Sequence, residues 1–180
     1  MTDWFTTRDG MLARAWDEME ARNATRLWSF AALRDGAWPD VRTVVLRQAD
    51  RTTANLQFHT DIHSAKIADL SAAPRAGLLC WLPDIALQIR LRATVSVVTG
   101  PQVKPVWDAI PDPSREAYGT TPPPATPIAD ALAYTKPADP TAFAVLYCHV
   151  QEIDLTFLGE NHRRVLYSRH GDWTGQWVAP

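Results

Sequence analysis

The run LQIRLRATVSVVTG, residues 87–100, constrains the fold more than any other stretch of the chain. Ile89, Leu91, Ala93, Val95 and Val97 fall on one face of an extended segment, while Gln88, Arg90, Arg92, Thr94 and Ser96 fall on the other. That period of two is what a half-buried antiparallel strand requires. A strand this long, apolar on one side and arginine-bearing on the other, suits a barrel wall better than the centre of a sandwich.

Other segments repeat the pattern. TRLWSFAAL and VRTVVLRQA read as strands separated by the turn signals of RDGAWPD. TANLQFHT alternates Leu56 and Phe58 against Gln57 and His59, and SAKIADLSAAP is a short helix that must stop before Pro74. AGLLCWLP forms a hairpin with the long strand around Asp84. AFAVLYCHVQEIDLTFLG supplies one or two strands, and NHRRVLYSRHGDWTGQWVAP a final strand with a tryptophan-bearing tail.

Helical spacing is confined to the front of the chain. Met11, Leu12, Ala15, Trp16 and Met19 recur on one face, Glu18, Glu20 and Arg22 on the other, and Asp9 is the expected N-cap of a helix over about 9–24. PVWDAIPDPSREAYG is helical in part, and the prolines of TTPPPATP, within 120–127, exclude helix and central strand. The expected architecture is mainly β: an antiparallel barrel of about six or seven strands with short flanking helices, as a single domain over 1–180.

Composition limits the function. A net charge of −2 argues against nucleic acid held by overall charge. Cys80 and Cys148 sit inside apolar runs and are expected to be buried thiols. No apolar run reaches the roughly 20 residues of a membrane span, and MTDWFTTRDG lacks a basic stretch followed by an apolar one, so the expectation is a cytoplasmic protein without a membrane partner.

Polarity concentrates in FHTDIHSAK, residues 58–66, where a strand gives way to a helix. Arg42 and Arg47 bracket TVVL on the preceding strand, projecting to opposite faces at opposite ends, and Lys66 follows Ser64 in the first turn of the helix. A helix start offers unpaired N–H groups and the positive end of the dipole. An arginine, a lysine and a serine hydroxyl there make a cradle for a dianionic phosphate; alternatively the arginines pair with Asp61 or Asp69. His59 and His63 are four apart, but an intervening strand end separates their rings, and no metal is expected.

The ordered set RTVVLR at 42–47, FHT at 58–60, SAK at 64–66, Gln88 before IRLRATV, and HRRVLY at 162–167 resembles the pyridoxamine 5'-phosphate oxidase family. The resemblance implies an FMN-binding split barrel that works as a homodimer, with the site at the interface. Arg42, Thr43, Val44, Val45, Leu46 and Arg47 would then lie along the flavin, with Arg42 near its phosphate. His59 and Thr60 would meet the cofactor at the next strand end, and Ser64 and Lys66 would hold the phosphate. Gln88 would bond the flavin's polar edge, Arg164 would approach from the C-terminal strand, and His162 would be the substrate-side acid.

Two departures accompany the likeness. Ala65 stands where the family often has a second basic residue, leaving Arg90 or Arg92 as the expected compensation. Glu160 stands where true oxidases place an arginine for the vitamin's phosphate, so vitamin B6 oxidation is not expected. The function implied is an FMN-dependent oxidoreductase of a different small molecule. The alternatives are a flavin carrier or sensor without turnover, or a split barrel binding heme or deazaflavin.

Overall fold

The structure is a computed structural model and describes residues 3–21 and 27–180. The last part of the expected first helix, with Arg22, and the Thr25–Arg26 start of the first expected strand lie outside the described residues.

The first helix, α1, spans Arg8–Glu20 and buries Met11, Ala15, Trp16 and Met19, the face that the spacing predicts. Its N-cap is Thr7 rather than Asp9. The Thr7 hydroxyl accepts a hydrogen bond from the Gly10 N–H at 3.0 Å, and Asp9 sits in the first turn, where its charge favours the helix dipole.

Strands follow as β1 (Leu27–Arg34), β2 (Trp38–Asp50) and β3 (Asn55–Asp61). Helix α2 (Ala65–Ala72) leads to the β4 (Arg75–Leu82) and β5 (Leu87–Thr99) hairpin. Short helices α3 (Lys104–Asp108) and α4 (Asp112–Arg115) precede β6 (Phe143–Phe157), β7 (Arg163–Ser168) and β8 (Gln176–Val178). All pairings are antiparallel, in the order β3-β2-β1-β4-β5-β6-β7-β8, and β3 also pairs with β6. Six strands thus close a barrel, and β7 and β8 extend it from one side. The expected split barrel stands; the strand hidden in the tryptophan-bearing tail is β8.

On the edge away from β5, β6 serves two partners in turn. Phe143–His149 pair with β3 and close the barrel, whereas Glu152–Phe157 pair with β7. Along β5 the register jumps from Arg92–Glu152 to Ala93–Val150, leaving Gln151 as an extra residue at the changeover. Such a bulge bends a strand, which lets one strand leave the barrel and join a second layer. A second register shift lies between Leu46 and Gln48, at Arg47.

Inside the barrel, Trp28, Phe30, Phe58, Leu46, Ile89 and Leu146 are almost fully buried, and the rings of Phe30 and Phe58 meet edge-on at 6.2 Å. The β5 alternation holds: Ile89, Leu91, Ala93 and Val95 face the core, and Arg90, Arg92, Thr94 and Ser96 face outward. Both cysteines are buried and free. A second apolar cluster, Val103, Trp107, Ile110 and Tyr118, packs on Phe143 and Val145 and seats the α3–α4 segment over the start of β6. Residues 123–134 of the proline-rich loop form an exposed excursion, closed at its neck by a bridge between Thr121 and Thr135. No helix among the described residues is long and apolar enough to cross a membrane.

Candidate functional site

At the mouth of the barrel, the end of β3 and the start of α2 bring three polar side chains together. Lys66 Nζ donates to Thr60 Oγ1 at 2.8 Å and to Ser64 Oγ at 2.9 Å, and the two hydroxyls lie 3.2 Å apart. Ser64 occupies the N-cap position of α2 but makes no capping bond, because its hydroxyl is turned to Lys66. Burial, and then the neighbouring Arg42 guanidinium, lower the Lys66 pKa. The two cations expected at this junction are therefore close enough to repel each other.

Arg42 is paired with Asp40, two residues back on the same face of β2, and lies 3.6 Å from the buried Asp69 of α2. The sequence offered Asp69 as a partner; Asp40 was missed, although an i,i+2 acid on a strand is the signal for it. Even so, Arg42 Nη1 is buried without a hydrogen-bond partner. An orphaned guanidinium nitrogen beside a desolvated lysine and two hydroxyls fits an incoming anion, since a buried donor left unpaired costs about 1–3 kcal/mol.

The rest of the mouth is held by Asp61 and His59. Asp61 is buried, and its carboxylate accepts from the His63 N–H at 2.7 Å and the Gly119 N–H at 2.7 Å. His59 has its Nε2 2.9 Å from the Gln57 amide nitrogen, its ring edge-on to Phe143 at 5.0 Å, and Nδ1 buried without a partner. Burial, reinforced by Arg47, pushes the His59 pKa down to about 4, so the ring is neutral at neutral pH. Of the remaining β2 residues, Leu46 points into the core, Val44 and Val45 are half-buried, and Thr43 is exposed.

Gln88 and Arg164 are not part of this cluster. They flank Thr156 in one row across β5, β6 and β7. Thr60 pairs with Ala144 and Arg164 with Thr156, twelve residues further along β6, which is roughly 40 Å of extended strand. Arg164 makes a two-pronged ion pair with Asp154, at 3.0 and 2.9 Å. Arg90 joins the same carboxylate at 2.8 Å, and Arg92 pairs with Glu152 at 3.0 Å. Neither arginine makes good the charge missing at Ala65, since both face these acids on the outer sheet. His162 is exposed in the turn before β7.

A split barrel with a cationic, hydroxyl-bearing cluster at a strand-to-helix junction is the class of fold that the chain adopts. Within it, the family model for the pyridoxamine 5'-phosphate oxidase FMN-binding domain matches residues 6–99, just over half of the 180-residue sequence. The chain belongs to that family. It is 41% identical over 61 residues to a pyridoxine/pyridoxamine 5'-phosphate oxidase of Nitrobacter hamburgensis, a match spanning 34% of this chain and 28% of that relative.

Solved structures agree on the fold. A pyridoxamine 5'-phosphate oxidase-related, FMN-binding protein from Nostoc punctiforme superposes with a TM-score of 0.76 at 24% identity, covering 95% of this chain and 96% of that one. PhzG from Burkholderia lata, in complex with tetrahydrophenazine-1-carboxylic acid, gives 0.70 at 16% identity, covering 94% and 88%. A heme-binding protein from Mycobacterium smegmatis gives 0.55 at 13% identity, covering 83% and 56%.

Proposed function

We propose that the chain is an FMN-dependent oxidoreductase acting in the cytoplasm on a small molecule other than the vitamin B6 phosphates. The observation that carries this reading is the buried, unpartnered Arg42 Nη1 beside Lys66, Ser64 and Thr60. Arg42 and Lys66 would neutralise the cofactor's phosphate, and the two hydroxyls would donate to its oxygens. Charge-assisted bonds of this kind contribute about 1.5–3 kcal/mol each. His59, Thr43, Val44, Val45, Leu46 and Arg47 would border the cofactor along β2 and β3.

When bound, FMN supplies the redox chemistry by accepting an electron pair from the substrate. The chain's share is to bind, orient and keep water out. Gln88 would bond the polar edge of the ring, Arg164 would lie beside it, and His162 would hold or release a proton on the substrate side.

The length of strand between Thr60 and Arg164 bears on assembly. Residues at opposite ends of β6 meet one nucleotide only if a second copy supplies one of the two groups. The outer face of the sheet exposes Leu33, Val41, Trp81 and Leu166, apolar side chains of the kind that mark an interface. A homodimer with two composite sites follows from this reading.

The direct test is the spectrum of the purified protein. It should be yellow, release FMN on denaturation and lose absorbance when reduced anaerobically. Colourless protein that does not bind added FMN would overturn the proposal. Protein that binds FMN but never passes electrons to an acceptor would favour a carrier.

A further inference from the structure

Two rows of polar side chains cross the outer face of the barrel, away from the Thr60 mouth. Gln48, Gln57, Tyr147 and Ser96 stand opposite one another on β2, β3, β6 and β5. Asp50, Asn55, His149 and Thr94 form the next row on the same strands. Neither row contains a lysine, an arginine or a glutamate, whereas past the Gln151 bulge β5 and β6 carry Arg90, Arg92, Glu152 and Asp154. At the β2–β3 end the rows border a cavity of about 250 Å³, whose lining includes Gln48, Asp50, Thr53, Asn55, Gln57 and Tyr147. We propose that this cavity binds a neutral sugar and seats one hexose ring.

The amides carry the argument. Asn55 Oδ1 is buried without a hydrogen-bond partner, and a buried acceptor left unpaired calls for a donor from outside the chain. Gln57 gives its amide nitrogen to His59 Nε2 at 2.9 Å, which leaves its carbonyl oxygen to the cavity. Gln48 brings a donor and an acceptor together. Amides and sugar hydroxyls both donate and accept, so they interlock without any charge. Tyr147 adds a hydroxyl and a flat ring, which packs against the cluster of Val103 and Trp107. An amphipathic ring of this kind suits the C–H face of a sugar.

The one carboxylate sets the ligand's charge. Asp50 is the single charged side chain of that lining, among the described residues. Its Oδ1 accepts from the Thr52 N–H at 2.8 Å and its Oδ2 from the Thr53 hydroxyl at 2.8 Å, so the hairpin turn occupies it. It repels anions, and without a second acid the lining lacks the charge that a divalent cation favours.

The bulge at Arg47 makes the site. Leu46, opposite Phe58, faces the core, and without the extra residue Gln48 would follow it inward. The register shift instead sets Gln48 opposite Gln57 and turns Gln48 and Asp50 outward together. Asn55 lies five residues before Thr60 on β3, about 17 Å of extended strand. The sugar reading therefore does not rest on the flavin reading.

The test follows backbone and side-chain amide signals of nitrogen-15-labelled protein as D-glucose, D-galactose or D-mannose is added, each compared with its uronate. At least one hexose should shift the Asn55 and Gln57 signals saturably, with its uronate at least tenfold weaker. Asn55→Leu removes the orphaned oxygen at similar size. It should weaken the hexose at least tenfold without lowering the melting temperature, since that oxygen has no partner to lose. Tyr147→Phe removes one hydroxyl, keeps the ring, and should weaken binding at least threefold; it carries the test if Asn55→Leu does not fold. No saturable shift with any of the three hexoses, a uronate as tight as its neutral sugar, or wild-type affinity in the folded variants would overturn the inference. Colourless protein should bind the hexose as well as yellow protein does, which separates this site from the cofactor's.

Discussion

The Gly119 N–H donates a 2.7 Å hydrogen bond to Asp61 Oδ2, joining the neck of the proline-rich loop to the strand end that carries Thr60. The tie is buried and spans 58 residues of sequence. Gly119 adopts φ +95, and a Cβ there would stand 2.6 Å from the Asp139 Cβ, so only glycine fits. Asp61→Ala would leave the Gly119 and His63 amides without their carboxylate. A loss of about 2–4 kcal/mol is expected, read by urea denaturation, together with faster proteolysis within 120–135. Unchanged stability and unchanged cleavage would show that the tie is not what holds the loop.

At the mouth, replacing Arg42 and Lys66 together by alanine should weaken FMN binding by about 3–6 kcal/mol if both meet the phosphate. Arg42 also faces the buried Asp69, so the double variant risks misfolding. Lys66→Met alone keeps the buried stem and should cost about 1.5–3 kcal/mol. Fluorescence titration with FMN reads both, and wild-type affinity in Lys66→Met would remove lysine from the cradle.

His59 makes stability depend on pH. Its native pKa is about 4 against an ordinary value of 6.5. Between those values the unfolded chain takes up a proton that the native ring refuses. Stability is therefore at its full value above about pH 6.5 and falls as the pH drops toward 4. The full linkage for such a shift is about 3 kcal/mol; the ring is only half-buried, and solvent screening reduces this to roughly 1–2 kcal/mol. His59→Phe should flatten this limb in denaturation series from pH 4 to 8, and an identical slope in the variant would assign the effect elsewhere.

In the barrel interior, Phe58 is fully buried and edge-on to Phe30. Phe58→Ala should cost about 3–5 kcal/mol through lost burial and the cavity left behind. Thermal unfolding of the variant checks this, and a cost below about 1 kcal/mol would mean that the barrel collapses to fill the space.

Local patterns were legible where one face of an element meets water. β5 shows its two faces in alternating residues, and α1 shows its buried stripe at helical spacing. The grouping of Thr60, Ser64 and Lys66 was also readable, because seven residues of chain contain all three. β8 was missed because three residues carry too short a period to register. The bulges at Arg47 and Gln151 have no glycine or proline to announce them. The Arg90–Asp154–Arg164 cluster depends on which strands become neighbours, and strand register is long-range information that no local window contains.

β8 has one more consequence. Closing β3 onto β6 covers one margin of the barrel but leaves the 38–45 half of β2 paired on one side only, and at its far end the sheet stops on a strand of only three residues. A row of unpaired amides that short gives another chain little to template on. The same arrangement that opens the second layer thereby leaves that end of the sheet little exposed to edge-to-edge aggregation.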